Sequence, residues 1–384
     1  MNCQSLPVPA VLFGIVCGAG ALGSLPLAAA PLLVETAGAL PQFAGGWAGV
    51  PATLLMAGSA LGSAAAARLI GWRPPHWLAI IAALAAVCWF GVARAVMPLF
   101  GPTALALLLA GLGLGVASGT AASLMAAAPS PTVTAAAAGL SGGIMLMLFG
   151  AVAAAAVPHG FAALLTLLMI AAALVTPGLA GLGRVAEPYR MMTTAQPGAL
   201  APRRGLPAFL LGLLLYAGKD SGVWALTIVR AQALGVDAGL QSLLLGGAGA
   251  AGIGGAALAA ATAGRWPAGP TLLAMLLANL LLGLCLFGVP SPSWFIVLQW
   301  LYTASHLYLV PCLLGLAGRS DGTGRLVALA VAASTMGAAM GPWLASVAWS
   351  VMTPVAVGLG TAILTSVAAL FILPMLAGNW HSRG

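Results

Sequence analysis

Apolar runs of about twenty residues recur along this chain twelve times, each long enough to cross a bilayer as a helix. Charged residues make up 5% of the 384 residues and hydrophobic ones 62%, with a mean hydropathy of +1.10. Soluble domains carry roughly 25% charged residues. Five acids and 13 Lys+Arg could not cover a water-facing surface of this size. In lipid every backbone polar group must be satisfied within the spanning structure, which leaves helices or a closed barrel. The runs are long and unbroken and lack the period-two alternation of barrel strands, so helices are expected. The net charge of +8 does not point to nucleic acid, because the basic residues are scattered singly and form no stripe. The expected class is an all-α polytopic membrane protein.

Counting runs between Pro, Gly and charge places the spans at about 9–34, 43–67, 76–97, 103–127, 133–157, 160–183, 207–231, 239–263, 269–289, 293–317, 326–350 and 353–378. The longest polar stretch, 184–206, carries Arg184, Arg190, Arg203 and Arg204 and falls near the chain's middle. It predicts a six-helix bundle over 1–183, a cytoplasmic linker over 184–206 and a second six-helix bundle over 207–384. Ala28-Ala29-Ala30 resembles a signal-peptide cleavage site, but no Lys or Arg precedes the run and it extends past Leu33, so a retained first helix is expected. Of the five cysteines, Cys17, Cys88, Cys285 and Cys312 lie in apolar runs, and none has metal-binding spacing; they read as small buried hydrophobes.

Basic residues set the orientation. With the N-terminus inside, Arg68, Arg73, Arg184, Arg190, Arg203, Arg204, Arg265, Arg319, Arg325 and Arg383 fall inside, and only Arg94 and Arg230 fall outside. The positive-inside bias therefore puts both termini in the cytoplasm of a cell inner membrane.

The end of the second run, Ala-Ala-Arg68-Leu-Ile-Gly71-Trp72-Arg73-Pro74, is echoed by Ala-Thr-Ala-Gly264-Arg265-Trp266-Pro267 at the end of the eighth, half a chain away. Such repetition is common in transporters built from two related halves. The first of these segments resembles the Gly-x-x-x-Asp-Arg-x-Gly-Arg-Arg signature of the major facilitator superfamily, with Ala67 in the Asp position, Arg68, one extra residue, then Gly71 and Arg73. Leu109 to Gly115 resembles that superfamily's Arg-x-Leu-x-Gly-x-Gly-x-Gly segment, with Leu107 in the Arg position. Tyr216-Ala217-Gly218-Lys219-Asp220-Ser221-Gly222-Val223-Trp224 is similar to the Tyr-x-Gly-x-Glu-x-Gly…Trp stretch of sugar-permease-like members, with Asp220 standing for the acid. The resemblance implies two six-helix bundles, alternating access, no cofactor and a monomer. It implies substrate-facing roles for Tyr216 and Trp224. For Arg68, Gly71, Arg73 and Arg265 it implies a loop that pins helix ends on the cytoplasmic side.

The residues themselves point to chemistry at one depth. Lys219 and Asp220 lie at the midpoint of the seventh run, where each ionisable group costs at least ~2.5–3.5 kcal/mol. Neighbouring positions point about 100° apart on a helix. The pair therefore either serves a central cavity in substrate binding or proton coupling, or forms a local ion pair between helices. Tyr302 and His306 are i,i+4 in the tenth run, and Gln299 lies on the same side. That stripe either lines a path and relays protons or ties helices together by hydrogen bonds. Asn279 reads as interhelical glue. Glu35 and Asp237 read as span ends, Trp47, Trp77, Trp294, Trp343 and Trp380 as interfacial aromatics, and Pro26, Pro311 and Pro342 as kink sites.

The function expected is gradient-driven carriage of a small organic solute, with protons or another ion as the coupling partner, as symport or antiport. No nucleotide-binding loop exists to couple ATP. The alternatives are a membrane enzyme of lipid or acyl transfer, which would need clustered His, Asp or Arg at one face, and a solute sensor with a transporter's fold.

Overall fold

A computed structural model describes residues 8–43, 47–69, 74–128, 130–156, 159–185, 205–320 and 324–380. Its secondary structure is helical, and twelve helices are long and apolar enough to cross a membrane. In chain order they are α1 (Ala10–Gly38), α2 (Val50–Leu69), α3 (Pro75–Ala95), α4 (Phe100–Ser123), α5 (Pro131–Ala151) and α6 (Gly160–Gly183), then α7 (Leu206–Ala233), α8 (Gly239–Thr262), α9 (Ala268–Gly288), α10 (Pro292–Ser320), α11 (Arg325–Val351) and α12 (Pro354–Met375). The protein is a multi-pass membrane protein of the all-α class. Its outward-facing side chains agree: Leu174 is 75% exposed and Leu370 68%, values that suit contact with lipid tails.

Helix boundaries follow local chemistry. The second span starts at Val50 and not near residue 43, because Pro41–Phe43 form a 3₁₀ turn first and Pro51 then sits in the opening turn. Asp237 caps α8, its carboxylate accepting from Leu240 N at 2.9 Å, so its role is that of a helix start. Glu35 is exposed in the last turn of α1. Arg230 donates to the carbonyls of Phe287 (3.2 Å) and Val289 (2.8 Å), completing the C-terminus of α9 with a cation at the negative end of its dipole. Pro26, Pro311 and Pro342 all lie inside helices. Trp47, Trp77, Trp294 and Trp343 are exposed.

Glycine sets the packing. Gly111 and Gly115 of α4 press on the backbone of Leu55 and Ser59 in α2, while Gly58 and Gly62 of α2 press on Leu108 and Leu112 in α4. A Cβ at any of these would overlap main chain, so the two helices approach closely because glycine is there. The hydroxyl of Ser63 crosses the same seam to Gly115 O at 3.0 Å. Between the first six helices and the last six, α2 packs against α11 and α5 against α8.

Candidate functional site

The seventh and tenth helices meet at the level of Lys219 and His306. Lys219 is buried, and its ammonium donates to Asn279 Oδ1 (2.6 Å, from α9) and to the Tyr302 hydroxyl (2.9 Å, from α10). It also stands over the Tyr216 ring, 4.4 Å from the centroid, in cation–π geometry. Asn279 passes the chain on, donating to Ser305 Oγ at 2.9 Å, and Ser305 donates to Tyr302 O at 2.8 Å. Hydrogen bonds to a charged group are worth about 1.5–3 kcal/mol each. Two of them, plus the ring, offset the cost of holding an ammonium at this depth.

Asp220 points elsewhere. Its Oδ1 lies 3.0 Å from His306 Nδ1 and 3.9 Å from Lys219 Nζ. The contact with His306 is close but off-line. Oδ1 accepts no hydrogen bond of good geometry, so the two groups pair by charge only when the imidazole carries a second proton. The imidazole stacks on the Tyr216 ring at 5.7 Å with 9° between planes, and the Tyr216 hydroxyl lies 3.3 Å from the same Nδ1.

Asp220 and His306 line a cavity of about 200 Å³ enclosed by α1, α2, α4, α5, α7, α10 and α11. Both halves of the chain contribute: Ser24, Met56, Ser118 and Gly139 from the first, Leu213, Tyr216 and Thr335 from the second. Next to it, Val16–Leu22 of α1 is wound as a π-helix, a form concentrated at functional sites. Contacts between the halves lie on either side of the cavity. Toward the end where α7 starts, a Cβ at Gly315 would overlap Thr132, and one at Gly318 would fall 2.9 Å from Pro131 Cβ. Toward the other end, Trp224 Nε1 donates to Leu27 O at 3.2 Å.

No known family profile matches this chain, and no curated protein matches it by sequence. Solved structures do match. The chain is similar to the outward conformation of the transporter FucP (TM-score 0.68, 16% identity, covering 97% of this chain and 99% of that one). It is similar to the human organic anion transporter MFSD10, also called TETRAN (TM-score 0.66, 17% identity, 98% and 99% covered). It is also similar to the proton:xylose symporter XylE with 6-bromo-6-deoxy-D-glucose bound (TM-score 0.65, 15% identity, 95% and 93% covered).

The chain has the major facilitator fold.

Within the major facilitator fold, five of the seven residues singled out at membrane depth, Tyr216, Lys219, Asp220, Tyr302 and His306, come together in one cluster. Trp224 does not join it. The indole packs among Ile228, Leu245 and Ala248 and ties α7 to α1. Gln299 is fully buried, yet neither amide atom has a hydrogen-bond partner among the described residues, and it does not border the central cavity. Helical spacing put Gln299 on the side of Tyr302, but a face about 100° wide meets more than one neighbour. Arg68 and Arg265 are exposed at the ends of α2 and α8, where Arg265 donates to Ala261 O at 3.0 Å; Gly71 and Arg73 lie outside the described residues. Asn279 acts as helix glue and as the main acceptor for Lys219.

The cavity's first-half wall escaped sequence reasoning. Ser24 and Ser118 are ordinary small residues in apolar runs, where serine serves packing as readily as ligands. Ser24's position i+4 from a glycine in a Gly-Ala-Gly stretch is the nearest thing to a signal.

Proposed function

We propose that this protein is a secondary active transporter. It moves a small organic solute across the inner membrane by alternating access, with proton movement as the driving partner. The six-helix units 1–183 and 207–384 rock about the central cavity, the stretch 184–206 joins them, and both termini are cytoplasmic, as the ten-to-two distribution of Arg supports.

One observation carries the reading. A buried carboxylate and a half-buried imidazole, 3.0 Å apart, form part of the wall of a cavity to which both halves contribute. Ionisable groups inside a membrane persist where they line a path or relay protons. This pair can hold a proton on His306 against the Asp220 charge and lose it when water reaches the cavity from one face or the other. The names of two similar structures, a fucose:proton symporter and a proton:xylose symporter, support proton coupling as the energy source.

The test is reconstitution into liposomes with a preloaded solute panel. A carrier gives saturable counterflow with at least one solute and proton movement coupled to it. A membrane enzyme or a sensor gives neither, and that result overturns the proposal.

A further inference from the structure

The lining of the central cavity is poor in hydrogen-bond donors. Six hydroxyls border it, and four spend their protons on helix carbonyls: Ser24 on Gly20 O (2.7 Å), Ser118 on Gly115 O (3.3 Å), Ser221 on Ala338 O (2.8 Å) and Thr335 on Val331 O (2.8 Å). The other two are Ser334 and Tyr216, whose hydroxyl lies 3.3 Å from His306 Nδ1. A hydroxyl whose proton is committed offers only lone pairs to a ligand. Asp220, buried at 5% exposure, adds a carboxylate whose Oδ1 accepts no hydrogen bond of good geometry. The remaining walls are mostly Leu, Met, Ala, Val and Gly.

The basic side chain next door does not compensate. Lys219 donates to Asn279 and Tyr302, covers the Tyr216 ring, and borders a separate apolar cavity between α7, α11 and α12. Asp220 faces Lys219 and Tyr216 from its own helix, His306 and Tyr302 from α10, and no charged group among the cavity-lining residues of the first six helices. The cavity therefore presents one carboxylate, one imidazole, the hydroxyls of Tyr216 and Ser334, and a set of oxygen acceptors.

Building on the transporter reading, we propose that the solute is a small organic monocation, an ammonium or guanidinium on an apolar body, and that it is exchanged for a proton at Asp220. An ammonium has donors and no acceptor, which complements a wall of oxygen acceptors beside a carboxylate, whereas an anionic solute would meet the Asp220 charge. A single acid fits a single positive charge. Exchange follows from occupancy: Lys219 stands 3.9 Å from Asp220 throughout, and the second cation at the carboxylate is either protonated His306 or the solute. When the cation binds, the imidazolium releases its proton to water on the open face. One bound proton leaves as one cation arrives, and no bond other than N–H is broken.

The test uses three probes with the same body and different heads: 3-phenylpropylammonium, 3-phenylpropionate and 3-phenylpropanol. Binding to the purified full-length protein in detergent is measured by titration calorimetry in buffers of differing ionisation enthalpy. The ammonium is expected to bind best and to release protons into the buffer on binding. Asp220→Asn should weaken it about 10- to 100-fold, the worth of one charge-assisted hydrogen bond, and Asp220→Glu should restore part of the loss. Circular dichroism and gel filtration confirm that each variant is folded. The carboxylate or the alcohol binding as tightly as the ammonium, or Asp220→Asn leaving ammonium binding unchanged, overturns the inference. Counterflow separates this failure from failure of the transporter reading. If another solute class exchanges saturably while the ammonium does not, the carrier stands and the cation proposal falls. If no solute exchanges at all, both fall.

Discussion

Lys219 and Asp220 are adjacent in sequence yet face different compartments. The ammonium of Lys219 is turned toward Asn279 of α9, and the carboxylate of Asp220 toward His306 of α10, with 3.9 Å left between Nζ and Oδ1. The ~100° step between neighbouring helical positions separates them, and the separation divides their work. Lys219 holds three helices together, and Asp220 is left to the cavity.

That division predicts opposite phenotypes. Lys219→Met removes the donor that satisfies buried Asn279 Oδ1. It should lower stability by about 1–3 kcal/mol, the cost of orphaning a buried acceptor, read as a lower melting temperature in detergent. Asp220→Asn should leave melting much closer to wild type while removing accumulation driven by a pH gradient. A stable Lys219→Met protein, or full gradient-driven uptake by Asp220→Asn, would contradict the assignment.

His306 should set the pH dependence. In the wild type, solute binding should weaken where the imidazole holds a second proton, because protonated His306 and a cationic solute compete for the Asp220 charge. In His306→Gln that slope should flatten while affinity at the alkaline end stays within a few-fold of wild type. Binding titrations across pH on both proteins check this, and an unchanged slope in His306→Gln would count against the pairing.

The contact between α7 and α11 depends on absent side chains. Cβ atoms at Gly337 and Gly341 would overlap Leu214 O and Ser221 Oγ. Gly337→Ala and Gly341→Ala should each cost about 1–3 kcal/mol as overpacking substitutions. Gly246 and Gly360 are helical too, but nothing lies within 4 Å of their Cβ positions. Alanine there should be neutral or stabilise by about 0.5–1 kcal/mol through helix propensity. Parallel thermal melts of the four variants decide the point.

What the sequence made legible was what lipid forces. Twelve spans could be counted because an apolar run of that length has no other stable home, and the seventh run drew the eye to its polar cluster because two charges at membrane depth need partners. Less legible was anything depending on which neighbour a face meets. Gln299 shares a side with Tyr302, yet its amide meets no hydrogen-bond partner among the described residues. Asn279 looked like glue and is also the acceptor that holds Lys219 away from the cavity. The committed hydroxyls of Ser24, Ser118, Ser221 and Thr335 turn oxygen lone pairs toward the cavity. They are invisible until each proton can be followed to its carbonyl, because a serine in an apolar run carries the same letter whether its proton is free or spent.

The most direct measurement is proton flux in liposomes containing the protein and a pH-sensitive dye, with protein-free liposomes as the baseline. Adding the transported solute should drive protons across the membrane in the wild type and leave the dye unchanged in Asp220→Asn. A solute that crosses without moving protons, or proton movement that survives Asp220→Asn, would contradict proton-coupled transport through the Asp220–His306 pair.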